Sequence, residues 1–302
     1  MKILVVGGSG ALGLPLIGLL RQAGYDVWGM AHSARGQAAL SALGAGVVQG
    51  NALDRSAVFA MMERLRPDCV VDQLTSLPTS PFDLPHRLPA DRVLRLQGGG
   101  NLFDAARACG VARYIQQSCG FYLDGAGGLA DDTAALKTTA PGHIGESARM
   151  YTALEKRVMS APDIQGTALR YGFFYGPRTW YWPDGGFTTH MRQAEVPLIG
   201  AGASVFSFIH VEDAARATLS ALSAPQGVYN VVDDQPVLVH TWLPGYARWV
   251  GAPAPRQMDV PHARASLGEE TVYYQNALDG ACNHKARAVL GLAPRRQPWG
   301  AA

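Results

Sequence analysis

The sequence predicts an α/β protein: a doubly wound parallel sheet with a smaller C-terminal lobe. Three observations carry this reading. The apolar run Lys2-Ile3-Leu4-Val5-Val6 enters a glycine-rich loop and is followed by leucines at helical spacing. Short apolar runs then alternate with helical stretches as far as Tyr171, and beyond it the texture changes to Gly, Pro and aromatic residues. Strands alternating with helices imply right-handed crossovers and therefore parallel strands.

Taken in order, residues 2–6 read as a strand and 12–23 as a helix that Gly24 stops. Further strands are expected at 25–31, 47–48 and 68–74, with helices at 36–43 and 57–65 between them. The alternation continues with a helix at 100–109, a strand at 114–118, a helix at 147–159 and a strand at 167–171. Two interruptions, 76–89 and 123–145, are rich in Pro, Gly and small polar residues and read as loops or lids at the ligand side of the sheet. Late strands are expected at 206–211 and 227–232, and short helices at 243–250 and 285–290. The expected division is a first domain over 1–170, to which 206–235 returns, and a substrate-binding lobe over most of 171–302.

Composition narrows the function classes. Of 302 residues, 48% are hydrophobic and 17% charged, which suits a packed core and is too poor in charge for a disordered chain. A net charge of +2, with no run of five basic residues, gives no reason to expect a nucleic-acid or membrane-surface partner. The apolar start is broken at Gly7 and no later stretch is long enough to span a bilayer, so a cytoplasmic location is the expectation. Cys69, Cys109, Cys119 and Cys282 have no metal-ligand spacing and read as free thiols; no metal site is expected.

The loop Gly7-Gly8-Ser9-Gly10-Ala11-Leu12-Gly13 carries the first functional signal. A strand running into GxxGxxG and then a helix presents unpaired N–H groups at the positive end of a helix, where a pyrophosphate binds. Gly7 allows the turn, Gly10 a close backbone approach, and Gly13 the packing of helix on strand. Gly7, Ser9, Gly10, Ala11, Leu12 and Gly13 are therefore the expected phosphate-side contacts of a Rossmann domain.

Further along stand Asn101-Leu102-Phe103-Asp104-Ala105-Ala106-Arg107, Arg170-Tyr171-Gly172-Phe173-Phe174-Tyr175-Gly176-Pro177, Phe208-Ile209-His210-Val211-Glu212-Asp213-Ala214-Ala215 and Gly227-Val228-Tyr229-Asn230-Val231-Val232. With the glycine loop, these motifs make nearly the whole chain resemble the extended short-chain dehydrogenase/reductase superfamily in its NAD-dependent epimerase/dehydratase branch. The resemblance implies a nicotinamide cofactor. Members that prefer NAD carry an acid where this chain has Ala31, and the donors His32, Ser33 and Arg35 follow it, so NADP is the expected cofactor, with NAD left open. By the same carry-over Asn51, Ala52 and Leu53 border the adenine and Gln73, Leu74 and Thr75 the ribose. Gln117, Tyr151, Tyr171, Phe173 and Phe174 are further cofactor candidates.

In the family a Ser or Thr after the fifth strand and a Tyr-x-x-x-Lys pair on the next helix move the proton at the reacting oxygen. Ser118, four residues before Tyr122, matches the serine. The pair itself is broken, because Tyr151 is followed by Glu155 at i+4 and Lys156 at i+5. In one register Glu155 matches the glutamate that follows the family's lysine, so Ser147 stands at the tyrosine position and Tyr151 at the lysine position. In the other, Tyr151 is the family's tyrosine, and Lys156 lies about 140° around an α-helix from it unless a π-bulge intervenes. Ser118, Tyr151, Ser147 and Tyr122 are the catalytic candidates.

Nucleotide-sugar enzymes of this branch carry an arginine just before the Phe-Ile-His-Val strand, where this chain has Phe206-Ser207, which argues against a nucleotide-sugar substrate. Trp180, Tyr181, Trp182, Phe187, His190 and Met191 instead predict an apolar or aromatic surface, either a pocket or a core. His210 and Asp213 are expected to order the chain between lobes, and Asn283 and Lys285 to dock the last helix. Three functions stay open: an NADPH-dependent reductase of a small carbonyl, enone or imine compound, a non-redox isomerase, epimerase or lyase that keeps NAD(P), and a non-catalytic redox sensor. The expected partner is a small-molecule substrate. The family's habit of pairing through the helices near Gly100 and Ser147 suggests a homodimer.

Overall fold

The computed structural model describes residues 1–300. Six strands lead the chain into its central sheet: β1 (Lys2–Val6), β2 (Asp26–Ala31), β3 (Gly46–Gln49), β4 (Cys69–Asp72), β5 (Arg113–Cys119) and β6 (Gln165–Tyr171). Between them run α1 (Gly13–Gln22), α2 (Ala34–Ala42), α3 (Arg55–Leu65), α4 (Leu84–Val93), α5 (Gly99–Ala108) and α6 (Gly142–Met159). The C-terminal part adds β7 (Phe173–Tyr175), α7 (Gly186–Arg192), β8 (Leu198–Ile199), β9 (Val205–Phe206), β10 (Phe208–His210) and α8 (Val211–Ser220) before β11 (Gly227–Val231). β12 (Val237–Leu238), α9 (Val239–Trp249), β13 (Gln257–Met258), α10 (Val260–Leu267), α11 (Glu269–Asn276) and α12 (His284–Leu290) complete it.

β11 enters the central sheet beside β6, giving the seven-stranded order β11-β6-β5-β4-β1-β2-β3 with every pairing parallel. Successive side chains of a strand face opposite sides, and β1 shows it: Ile3 and Val5 pack with Leu16, Ile17 and Leu20 of α1, whereas Leu4 and Val6 pack with Val58 and Met62 of α3. Burial on both faces explains why β1 reads as a continuous apolar run rather than an alternating one. The strand order reverses between β1 and β4, the switch point where the carboxyl ends of an open α/β sheet leave a crevice.

Four differences from the sequence reading have physical causes. Residues 76–89, expected as a loop, hold a helical turn (Pro81–Asp83) and most of α4. Ser80 Oγ caps the turn from Phe82 N–H at 3.2 Å, and Pro85 sits in the first helical turn, where its missing N–H costs nothing. Helix α4 runs on through a wide π-helical turn (Leu94–Gly98) into α5. Helix α6 begins five positions before Ser147, at Gly142 with φ +53°, because Glu270 Oε1, 127 residues away, accepts the His143 N–H at 2.7 Å. It is α-helical throughout and contains no π-bulge. Helices α7, α10 and α11 were not expected, although Asp259 caps α10 by accepting the His262 N–H at 2.8 Å.

A buried ion pair ties α6 to the sheet. Arg170 of β6 donates Nε and Nη2 to Glu155 at 2.7 and 2.8 Å, and its Nη1 reaches the Ala134 carbonyl at 2.9 Å. At the C-terminus Asn283 donates to the Val232 carbonyl and Lys285 to that of Val228, which fastens α12 along β11. Removing one partner of a buried pair strands the other charge. Arg170→Met should therefore destabilise the fold by about 3–5 kcal/mol, read as a lowered midpoint in urea unfolding.

Candidate active site

The glycine loop follows β1 at the switch point. Gly7 has φ +77°, and a Cβ there would meet the Gln73 carbonyl oxygen at 2.2 Å. A Cβ on Gly13 would lie 2.5 Å from the carbonyl oxygens of Gly7 and Gly8, so the loop and the start of α1 fold around bare backbone. The Gly10 N–H is spent on the Gly7 carbonyl at 3.0 Å, whereas those of Ala11 and Leu12 have no acceptor among the described residues. These free donors at the head of α1 fit a pyrophosphate.

From this loop a cavity of about 1000 Å³ runs along the carboxyl ends of the strands into the C-terminal part. Gly7, Gly10, Ala11, Leu12 and Gly13 line one end, then Gln73, Thr75, Gln117, Ser118, Ser147, Tyr151, Tyr171, Phe173 and Phe174. Ser9 is not among the lining residues; its carbonyl accepts Arg178 Nη2 at 3.2 Å, and Arg178, at φ +69°, lines the cavity mouth. His32 and Arg35 are exposed beyond β2. Ser33, also exposed, accepts the Gly36 N–H at 3.2 Å as the cap of α2. Asn51 closes a turn onto Leu53 N–H, Leu53 is exposed, and Ala52 is buried with its carbonyl held by Asn101. Leu74 is half-buried; neither it nor residues 51–53 reach the cavity wall.

At the floor of the cavity the polar groups are unevenly engaged. Ser118 Oγ donates to Glu155 Oε1 at 2.6 Å, so this hydroxyl belongs to the Glu155–Arg170 pair. Tyr171 bonds Gln73 Nε2 and Thr218 and is packed. The hydroxyls of Tyr122 and Tyr274 pair with each other, so Tyr122 is tied to a neighbour rather than standing alone in the cavity, and burial pushes both phenols up. Ser147 and Tyr151, one helical turn apart on α6, line the cavity, and Ser147 Oγ has no partner. Burial raises the Tyr151 phenol above its usual value despite the opposing charge of Arg95, so it stays protonated near neutrality. Lys156 lies exposed, away from these groups. Cys119, also on the wall, is pushed up to about 12 by burial and is not a nucleophile at neutral pH.

Two wall residues escaped the sequence reading. Arg95, in the π-helical turn, is 2% exposed and donates Nε to Asp91 Oδ2 at 2.7 Å, with its guanidinium 5.5 Å from the Tyr151 ring centre. Only the Asp91/Arg95 spacing of four pointed to it, in the stretch between the loop read at 76–89 and the helix expected from Gly100. Arg178 had no such signal, since its contact with Ser9 spans 169 positions.

The far end of the cavity is aromatic. Phe173 stacks between Phe121 and Phe206, each ring centre 4.3 Å away, and Trp180, Tyr181, Phe187 and Trp242 extend the wall. Trp182 and Met191 lie outside it, and His190 is engaged by Ser80 and Glu195. His210 caps α8, and Asp213 accepts from Arg216 and Arg295. Among the described residues no helix is long and apolar enough to cross a membrane and no cluster of metal-binding side chains occurs. All four cysteines are free, with Cys69 and Cys119 buried and Cys109 and Cys282 half-buried.

Comparison with known proteins places this geometry. The pattern of the NAD dependent epimerase/dehydratase family matches residues 3–232. The chain is 37% identical over 302 residues to a Streptomyces protein described as 3-diazoavenalumate denitrifying reductase, covering 99% of this chain and 98% of that one. In structure it resembles UDP-glucose 4-epimerase of Thermotoga maritima, solved with UDP-glucose (TM-score 0.76, 21% identity, 99% and 95% of the two chains covered). It also resembles dTDP-glucose 4,6-dehydratase of Streptomyces venezuelae, solved with NAD (TM-score 0.77, 17% identity, 99% and 93% covered). The chain belongs to the NAD dependent epimerase/dehydratase family, and with it to the NAD(P)-dependent oxidoreductases of the extended short-chain dehydrogenase/reductase type.

Proposed function

We propose that the protein is an NADPH-dependent reductase of a small aromatic compound whose reacting group is already electrophilic, an arenediazonium being the first candidate. The observation that carries the reading is the pair Ser147 and Tyr151: hydroxyls face the cavity where the family's proton-moving Tyr and Lys are expected, and no lysine accompanies them. When bound, the reduced dinucleotide supplies a hydride, which on an arenediazonium replaces the departing dinitrogen and leaves an arene with no oxygen to protonate. A carbonyl reduction, by contrast, draws on general acid catalysis worth about 10²–10⁴-fold.

The side chains suit such a substrate. Phe121, Phe173 and Phe206 offer ring faces, which attract a cation and exclude water. Phe206 stands where an arginine would repel a diazonium and would favour a diphosphate. The Streptomyces relative's description names both a diazo compound and a denitrifying reduction, in agreement with this chemistry. Ala11 and Leu12 N–H groups would hold the pyrophosphate, and Arg178 closes over the same loop. His32, Ser33 and Arg35, exposed together beyond β2 with Ala31 in place of an acid, favour a 2′-phosphate and so NADP over NAD.

Two measurements test the reading. Titration of the protein with NADPH and with NADH should show tighter NADPH binding, and Arg35→Ala should lower NADPH affinity by about ten- to a hundredfold while leaving NADH unchanged. Equal affinities in the wild type would return the cofactor assignment to NAD. For the chemistry, NADPH oxidation and dinitrogen release should keep a one-to-one ratio with an arenediazonium acid, and Tyr151→Phe should change kcat by less than about threefold. A loss of about a hundredfold or more in Tyr151→Phe would instead identify Tyr151 as an acid and move the substrate to a carbonyl, enone or imine.

A further inference from the structure

Arg95 is a buried cation whose hydrogen bonding is unfinished. Its Nε donates to Asp91, yet Nη1 and Nη2 have no partner in the protein, and the residue lines the cavity beside Tyr151. A buried donor without an acceptor costs about 1–3 kcal/mol, more for a charged group, so two on one guanidinium call for acceptors from outside the chain. Asp91 does not supply them. Its Oδ1 already takes Thr75 Oγ1 at 3.0 Å and Ser76 N–H at 2.6 Å, and its Oδ2 takes Arg95 Nε.

The charges say what kind of acceptor is missing. Burial alone would raise Asp91, but the Arg95 charge and these hydrogen bonds outweigh it and hold the carboxyl below its usual range. Asp91 and Arg95 are therefore a neutral couple. A ligand carboxylate would place a second anion on one buried cation, whereas a neutral hydroxyl would satisfy the N–H groups without disturbing the balance.

The surroundings select further. Gln73 and Gln117 stand on adjacent strand ends, one step past the Asp72–Gln116 pairing, and each has a buried Oε1 with no donor. Both line the same cavity. Orphan donors and orphan acceptors lining one cavity match vicinal hydroxyls, since each hydroxyl both accepts and donates. A carboxylate can meet only the donors. Gln73 adjoins the phosphate-binding loop at Gly7, and Arg95 adjoins Tyr151, which belongs to the aromatic cluster.

We infer that Arg95 is the positioning cation of the site: supplied by the π-helical turn rather than by α6, it binds the hydroxyls of the dinucleotide's nicotinamide-side ribose. The inference rests on the NAD(P) reading above and assigns this contact to a residue outside the helix that lacks the lysine.

The test is binding rather than turnover. NADPH and 2′,5′-ADP, which carries the phosphate-bearing adenosine half and lacks the nicotinamide ribose, are each titrated into wild type and Arg95→Met. Because Arg95→Met leaves Asp91 unpaired, the double variant Asp91→Asn/Arg95→Met is measured beside it, with thermal unfolding as the fold check. The expected result is a fall of about tenfold or more in NADPH affinity in a folded variant, with 2′,5′-ADP affinity unchanged. Unchanged NADPH affinity overturns the inference, as do equal losses for both ligands, which would reduce Arg95 to a structural residue. Wild-type protein that binds neither NADPH nor NADH overturns the cofactor reading itself, so the two failures are told apart.

Discussion

The pair formed by Glu155 and Arg170 sets the geometry on which the site depends. One carboxylate on α6 takes both arms of a guanidinium on β6 and the Ser118 hydroxyl from β5. A helix pinned at one buried residue cannot rotate without breaking charge-assisted bonds in a low dielectric. With Glu155 turned to the sheet, the residues one and two turns earlier, Tyr151 and Ser147, face the cavity and Lys156 faces outward. The chemistry open to the protein thus follows from which residues occupy two turns of one helix.

Much of this was legible in sequence because it rests on local rules. β1 and the glycine loop declare themselves by an apolar run that ends where only glycine fits, and the carbonyl oxygens crowding Gly7 and Gly13 explain why no other residue stands there. The alternation of strands and helices was readable because the central strands β1, β4 and β6 are buried on both faces. What escaped depended on distant partners. The start of α6 is set by Glu270, the role of Arg95 by a π-helical turn, and the position of Arg178 by the Ser9 carbonyl of the glycine loop. Tyr122 shows the reverse case, since the family's spacing points to it and only the fold reveals that its hydroxyl is paired with that of Tyr274.

The cavity joins two environments that seldom share a wall. Toward the glycine loop it offers backbone donors and polar side chains with open valences, and toward β7 and α9 it offers stacked aromatic faces. A polar cofactor and an apolar electrophile can meet at the junction with little water between them, which strengthens every remaining electrostatic contact. The altered helix α6 is consistent with such a meeting: where the substrate carries its own activation, a proton relay has nothing to do.

The cap of α6 by Glu270 has a mechanical consequence. Gly268, Glu269, Glu270 and Thr271 form part of the cavity wall, so one segment of that wall also holds the His143 N–H in the first turn of the helix bearing Ser147 and Tyr151. Cavity wall and helix start are thereby joined through a single carboxylate, so the shape of one is tied to the placement of the other.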